Sequence, residues 1–132
     1  MVCRGGNLAL NIGPQPDGRL PRRAMESVSG LGAWLRVNGD AIYGTRAVSP
    51  YEVGSIAFTK KGNTVYAIER LADGEVLPRT LFIPWAEPIT APRLLDASLD
   101  AELEITDGGV LVRFGSSAGT SPLAPVVAFD LA

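Results

Sequence analysis

The residues of this chain best suited to chemistry on a polar substrate are a few carboxylates and two tryptophans. Asp17 stands in a loop of turn formers, Gly13-Pro14-Gln15-Pro16-Asp17-Gly18, where a carboxylate could act as general acid or base. Glu102 and Glu104 lie two residues apart and share one face of any strand. Acid–base work of this kind needs a partner carboxyl, and spacing alone places none beside either group. Asp17 therefore reads as a turn residue that hydrogen-bonds its own backbone. Glu102 and Glu104 read as a solvated sheet face. Trp34 and Trp85 could each stack on a sugar ring. Trp34 reads first as a packing residue, and Trp85, which follows Ile83-Pro84, as the better candidate for surface binding.

The composition narrows the rest. The chain has no histidine, so its own residues cannot build Ser-His or Cys-His catalysis or the common zinc sites. Cys3 is the single cysteine, which excludes an internal disulfide and a cysteine-built metal site. It reads as a strand-edge residue. No metal or cofactor is expected. A net charge of -2 and a pI near 5.1 leave no electrostatic footprint for nucleic acid or an anionic membrane. Arg22-Arg23 and Lys60-Lys61 are isolated, solvated pairs. No apolar run approaches the ~20 residues of a membrane helix. MVCRGG is not a signal peptide, and the compartment stays open. With 132 residues, 46% hydrophobic and 20% charged, the chain can fold around a modest core.

The elements that must hold these residues fall into two parts. Over Asn7–Gly13 the residues alternate with period two, Leu8, Leu10 and Ile12 against Asn7, Ala9 and Asn11, which predicts a strand. The Gly/Pro loop follows, then Pro21 at a helix start. Met25, Val28, Leu31, Gly32 and Leu35 form one apolar stripe of a helix, which Asn38-Gly39 stops with the glycine left-handed. Gly30 and Gly32 weaken that helix unless another backbone packs closely against them. Strand, loop and helix in this order are the repeating unit of a β/α barrel, whose active site is framed by such loops. Yet a complete barrel needs ~250 residues. The alternative reading of Asn7–Gly13 is a half-exposed edge strand.

After Arg46 the pattern changes, and Ser49-Pro50 reads as a linker. Six short strands are expected beyond it. Ala57–Thr59 and Thr64–Leu71 flank a turn at Lys61-Gly62-Asn63. Leu81–Ile83 ends at Pro84. Ala101–Thr106, with Ala101, Leu103 and Ile105 inward, turns at Asp107-Gly108-Gly109 into Val110–Phe114, and Val126–Leu131 follows. This spacing predicts a small antiparallel sandwich. Gly115–Ser121 reads as a mobile loop of small residues.

The phrases GGNLALNIGPQPDGR and GAWLRVNGDAIYGTR resemble the end of the catalytic barrel in the α-L-fucosidases of glycoside hydrolase family 29. The family's own phrase there runs close to GGNLLLNIGP-x-x-DG, a helix, then W-L-x-x-NGEAIYGTR. FTKKGNTVYAIERL resembles the first hairpin of the β-sandwich that follows the barrel in those enzymes; RLLD and EITDGGVLVRF are compatible and less specific. The family removes L-fucose from glycan ends with retention, using an Asp nucleophile and a Glu acid/base on earlier barrel strands. Retaining chemistry sets the two carboxyls ~5–5.5 Å apart. The resemblance starts at the final strand, so no catalytic residue carries over. What carries over is the pocket rim: Asn11, Gly13, Pro14, Asp17 and Gly18.

The resemblance implies a mainly β chain of α+β class: a small antiparallel β-sandwich preceded by one strand and one amphipathic helix of a (β/α) barrel. Residues 1–46 would be the terminal β/α unit and residues 47–132 the C-terminal sandwich domain. The implied function is the C-terminal portion of an α-L-fucosidase acting on a fucosylated glycan, inactive as an isolated chain. Two other readings stay open: a non-catalytic carbohydrate-binding or structural sandwich, and a subunit completing a split enzyme. A homodimer or a complementing barrel fragment would cover the apolar strand and helix stripe.

Overall fold

The computed structural model describes Met1–Ala132. After a single 3-10 turn at Val2–Arg4 comes helix α1 (Arg22–Asn38), which runs into a second such turn at Gly39–Ala41. Eight strands follow: β1 (Arg46–Val53), β2 (Ile56–Lys61), β3 (Thr64–Glu69), β4 (Thr80–Pro84), β5 (Ile89–Leu94), β6 (Ala101–Thr106), β7 (Gly109–Phe114) and β8 (Val126–Leu131). They form a five-stranded sheet, β1-β2-β3-β8-β5, and a three-stranded sheet, β4-β7-β6. Every pairing is antiparallel.

Local turn chemistry sets the hairpins. Lys61 pairs with Thr64 across Gly62, whose φ of 59° favours glycine. Thr106 pairs with Gly109 across Asp107-Gly108, where Gly108 has φ 87°. β1 and β5 were not expected from the sequence. Ser49-Pro50, read as a linker, lies inside β1, and Pro92 lies inside β5. Proline cannot donate to a ladder, and β1, β5 and the Pro84-bearing β4 are all edge strands. Both unexpected strands also shift register, between Ala47 and Glu52 and between Thr90 and Arg93. Tyr51 (φ 68°) and Ala91 (φ 50°) sit at those bulges.

Alternation sends one set of side chains from each central strand between the sheets. Phe58, Val65, Val127 and Phe129 meet Ile83, Val110, Val112 and Leu77 there. Burying each such side chain is worth about 1.5–3 kcal/mol. Trp85 lies in the same core, its ring centroid 5.4 Å from those of Phe58 and Phe129. Ile105 departs from its expected inward place. It stands near the end of edge strand β6 and is 46% exposed, while Ala101 and Leu103 pack against the core.

The opposite face of the five-stranded sheet is also apolar. Ala57, Tyr66, Ile68, Val126 and Ala128 form a second core with Cys3 and Ala41, and Trp34 and Ile42 pack on it. Cys3 is therefore buried in the first 3-10 turn, not at a strand edge; no strand forms there for it to border. Three contacts fasten this cover. Trp34 Nε1 donates to the Ala124 carbonyl at 2.9 Å, and Thr59 Oγ1 to the Ala41 carbonyl at 2.6 Å. At the surface, Glu52 accepts from Arg4 and lies 3.1 Å from Arg70. The Arg4 guanidinium, by hydrogen bond and charge, holds the Glu52 carboxyl below its usual value.

Several expectations for residues 1–46 and the later loop give way here. Gly6–Gln15 forms no strand, and no backbone hydrogen bond involves Asn7–Pro14. A strand is a paired object, and this chain provides no neighbour for it. Gly39 is right-handed (φ -59°), not left-handed, because the chain runs straight on from α1 into the second 3-10 turn; a Cβ there would meet the Tyr43 ring at 3.0 Å. A Cβ at Gly30 or Gly32 would meet nothing within 4 Å, so the close packing expected of them does not occur within this chain. The loop at Gly115–Ser121, expected to be mobile, is tied down. The Asp100 carboxylate accepts from Ser116 N (2.7 Å) and Oγ (2.9 Å), and Leu77 N donates to Thr120 O (2.7 Å).

Gly109→Ala should destabilise the fold by about 3 kcal/mol or more, because its Cβ would run into the Ile83 carbonyl of β4. Gly30→Ala should raise stability by up to ~1 kcal/mol. Urea midpoints of the two variants measure the contrast. Because the Arg4 guanidinium holds the folded Glu52 carboxyl below its ordinary value, the contribution of this pair is complete above that ordinary value and fades as pH falls through the lower folded one. Arg4→Met should make the acid decline of the urea midpoint shallower over that window.

Candidate functional site

The five rim candidates lie in sequence along one exposed stretch. Asn11, Gly13, Pro14, Asp17 and Gly18 are all exposed. Asp17 behaves as turn chemistry predicts. Its Oδ1 accepts from Arg19 N at 3.0 Å, and its Oδ2 is 3.7 Å from Arg19 Nε. Gly18 supplies the left-handed turn position with φ 80°. The structure brings no second carboxyl to Asp17. Glu104 pairs with Arg113 across β6 and β7 at 2.7 Å, the expected solvated face.

The concave surface of this half of the molecule lies on either side of α1. On one side a cleft of about 450 Å³ opens between Leu8, Leu10, Leu31, Trp34, Leu35 and Tyr43. On the other a cleft of about 540 Å³ opens between Leu31, Trp34, Ile68, Leu71 and Leu123, with Arg70 and Asp73 among its polar groups. Leu31 and Trp34 thus form a ridge common to both. The helix stripe was legible from spacing. The second cleft was not, because the loops before β4 and β8 build its far wall.

Around the ridge, apolar side chains stay in solvent. Leu8 is 61% exposed and Leu10 59%, with Leu20, Met25, Val37 and Tyr43 also exposed. Apolar patches of this kind are commonly places where proteins or ligands dock. Trp34 takes the packing role expected of it. Trp85, the better of the two candidates for surface binding, forms no surface platform: it is 7% exposed, because strands from both sheets close over the ring. No group of three or more His, Cys, Asp or Glu side chains is placed to hold a metal ion.

A family profile described as alpha-L-fucosidase matches residues 1–40, the stretch that carries the rim candidates and all of α1. An alpha-L-fucosidase of the lancelet Branchiostoma floridae is 40% identical over 123 residues, 89% of this chain and 27% of that protein. The human tissue alpha-L-fucosidase is 41% identical over 73 residues, covering 51% of this chain and 15% of its own. Among solved structures, alpha-L-fucosidase isoenzyme 1 of Paenibacillus thiaminolyticus superposes with a TM-score of 0.75 at 25% identity, over 96% of this chain and 31% of that one. The Thermotoga maritima alpha-fucosidase in complex with fucose gives 0.70 at 30% identity, over 96% and 31%. The chain spans between about a seventh and a third of the length of these relatives. On the shared residues and the shared fold, the chain corresponds to a C-terminal portion of the α-L-fucosidases.

Proposed function

We propose that this chain completes the catalytic barrel of an α-L-fucosidase that removes L-fucose from glycans. Residues 1–46 would supply the last β/α unit and residues 47–132 the accessory sandwich. One observation carries the reading: part of the family-matching segment is patterned as a strand and left unpaired. Leu8, Leu10 and Ile12 alternate, the backbone of Asn7–Pro14 is unbonded, and the adjoining cleft is apolar. A barrel strand needs a neighbour on each side, and unpaired N–H and C=O rows are templates for one. The partner is the preceding part of a barrel, on the same polypeptide or a separate one.

With that partner in place, Asn7–Gly13 pairs as a strand and presents Asn11 and the loop Gly13–Gly18 at the carboxyl end of the barrel, where such folds bind substrate. Pro14, Pro16 and the Asp17 turn hold the loop in one shape, so the rim is preorganised. Asn11, Gly13, Pro14, Asp17 and Gly18 are then rim residues that contact or buttress the sugar. The nucleophile and the acid/base come from the partner. A fucosylated glycan is the substrate class, in keeping with the fucose bound to the Thermotoga relative.

The chain alone should leave a chromogenic L-fucoside at the rate of a no-enzyme blank. Co-expressed with a polypeptide carrying the preceding barrel units, it should yield turnover. Leu10→Glu should abolish co-purification of the two pieces and the activity together. Turnover by the isolated chain would overturn the reading. So would an isolated chain that stays inactive and forms a stable dimer through Leu10, refusing the barrel fragment.

A further inference from the structure

The two clefts beside α1 are continuous through Leu31, Trp34 and Ile42, which line both. Strand pairing at Asn7–Pro14 concerns only the first, where Leu8 and Leu10 stand. The second, of about 540 Å³, runs past Ser27, Leu31 and Trp34. At positions i, i+4 and i+7 these follow the helix axis for about 10 Å. The loops at Leu71–Gly74 and Ser121–Ala124 build the opposite wall. The result is a trough with a helix on one side and the sandwich on the other.

Its lining is apolar and all but closed to new hydrogen bonds. Arg70 already donates to Gly54 O and Ser55 O, Ser27 Oγ to Arg23 O, and Ser121 Oγ to Glu75 O. Asp73 is the one charged group there without a partner in the chain. Leu123 is 65% exposed on the sandwich wall. On the helix wall Gly30 lies one turn from both Ser27 and Trp34, and a Cβ there would meet nothing within 4 Å. The surface left uncovered is large. The chain exposes 8027 Å², whereas a compact monomer of 13.9 kDa exposes about 6,700 Å². The surplus of roughly 1,400 Å² exceeds the ~800 Å² that a standard interface covers on each partner and matches obligate ones.

We propose that this trough receives one amphipathic helix of the preceding barrel units, lying alongside α1. Its apolar stripe rests on Leu31, Trp34 and Leu123, and a lysine or arginine on it faces Asp73. The inference rests on the barrel-completion reading and adds the sandwich to the contact. In a β/α barrel the helices form a closed outer ring, so each has a neighbour on either flank; α1 has none within this chain. A helix packs at 8–10 Å between axes, nearer where a small residue stands at the crossing. Gly30, a cost to the isolated helix, gives the neighbour that approach. The loops before β4 and β8 then hold a barrel helix in place, and the sandwich is part of the barrel's own packing.

The test co-expresses the barrel polypeptide with equal amounts of wild-type chain and a tagged variant, and reads the ratio in which the barrel retains them. Leu123→Glu and Gly30→Leu should each lose to the wild type by about tenfold or more. Asp73→Lys should lose by about threefold. Val76→Glu, at an exposed side chain that lines neither cleft, should compete evenly. As isolated chains all four should keep the wild-type urea midpoint, with Gly30→Leu at or above it, so lost retention reports contact and not unfolding. If the barrel polypeptide retains no wild-type chain, the barrel-completion reading falls and this inference with it. If the wild type is retained and Leu10→Glu is not, yet Leu123→Glu and Gly30→Leu compete evenly, only this inference falls. It is overturned as well by an isolated chain whose dimer Leu123→Glu dissolves, since a second copy is then the occupant.

Discussion

The structure depends on a five-stranded sheet whose central strands are buried on both faces. β2, β3 and β8 send Phe58, Val65, Val127 and Phe129 toward the second sheet. They send Ala57, Tyr66, Ile68, Val126 and Ala128 toward α1 and the two 3-10 turns. An antiparallel sheet commonly leaves one face to water; this one does not. The helix is therefore one of its two covers. The Trp34–Ala124 and Thr59–Ala41 hydrogen bonds fasten that cover through groups otherwise left unpaired. Burial also raises the Tyr66 hydroxyl pKa beneath it, with Asp40 adding to the effect.

A cover of this kind has an inner and an outer surface. The inner side of α1 is satisfied by the sheet. Its outer ridge, with the unpaired stretch from Asn7 to Pro14, is not. Leu8, Leu10 and Met25 are exposed, and open space lies beside Gly30 and Gly32. The same stretch carries the family match, and the relatives are three or more times as long as this chain. Packing and kinship thus point to the same place. The loop that follows this stretch is held by its own turn at Asp17-Gly18.

How much of this was legible in the sequence depended on how local the signal was. The β2–β3 and β6–β7 hairpins were readable because Gly62 and Asp107-Gly108 encode their turns within a few residues. α1 was readable from its stripe, which needs only 3.6-residue periodicity. β1 and β5 were not, because Pro50 and Pro92 break strands except at an edge, and edge position belongs to sheet order. Of the candidate residues, Asp17 and Gly18 were readable as a turn. The burial of Trp85 was not readable, because the strands that bury it come from both sheets.

The sequence by itself determined the family resemblance, the helix, the hairpins and the turn at Asp17-Gly18, since each is written in residues close together along the chain. Only the tertiary structure decided which strands are edges, that the sheet is covered twice, and that Trp85 sits in the core with a free N–H. It alone decided that Asn7–Gly13, patterned as a strand, is not one here. Pairing, burial and hydrogen-bond satisfaction are relations between distant segments. A segment's own pattern can propose them, but only the presence or absence of its neighbours settles them.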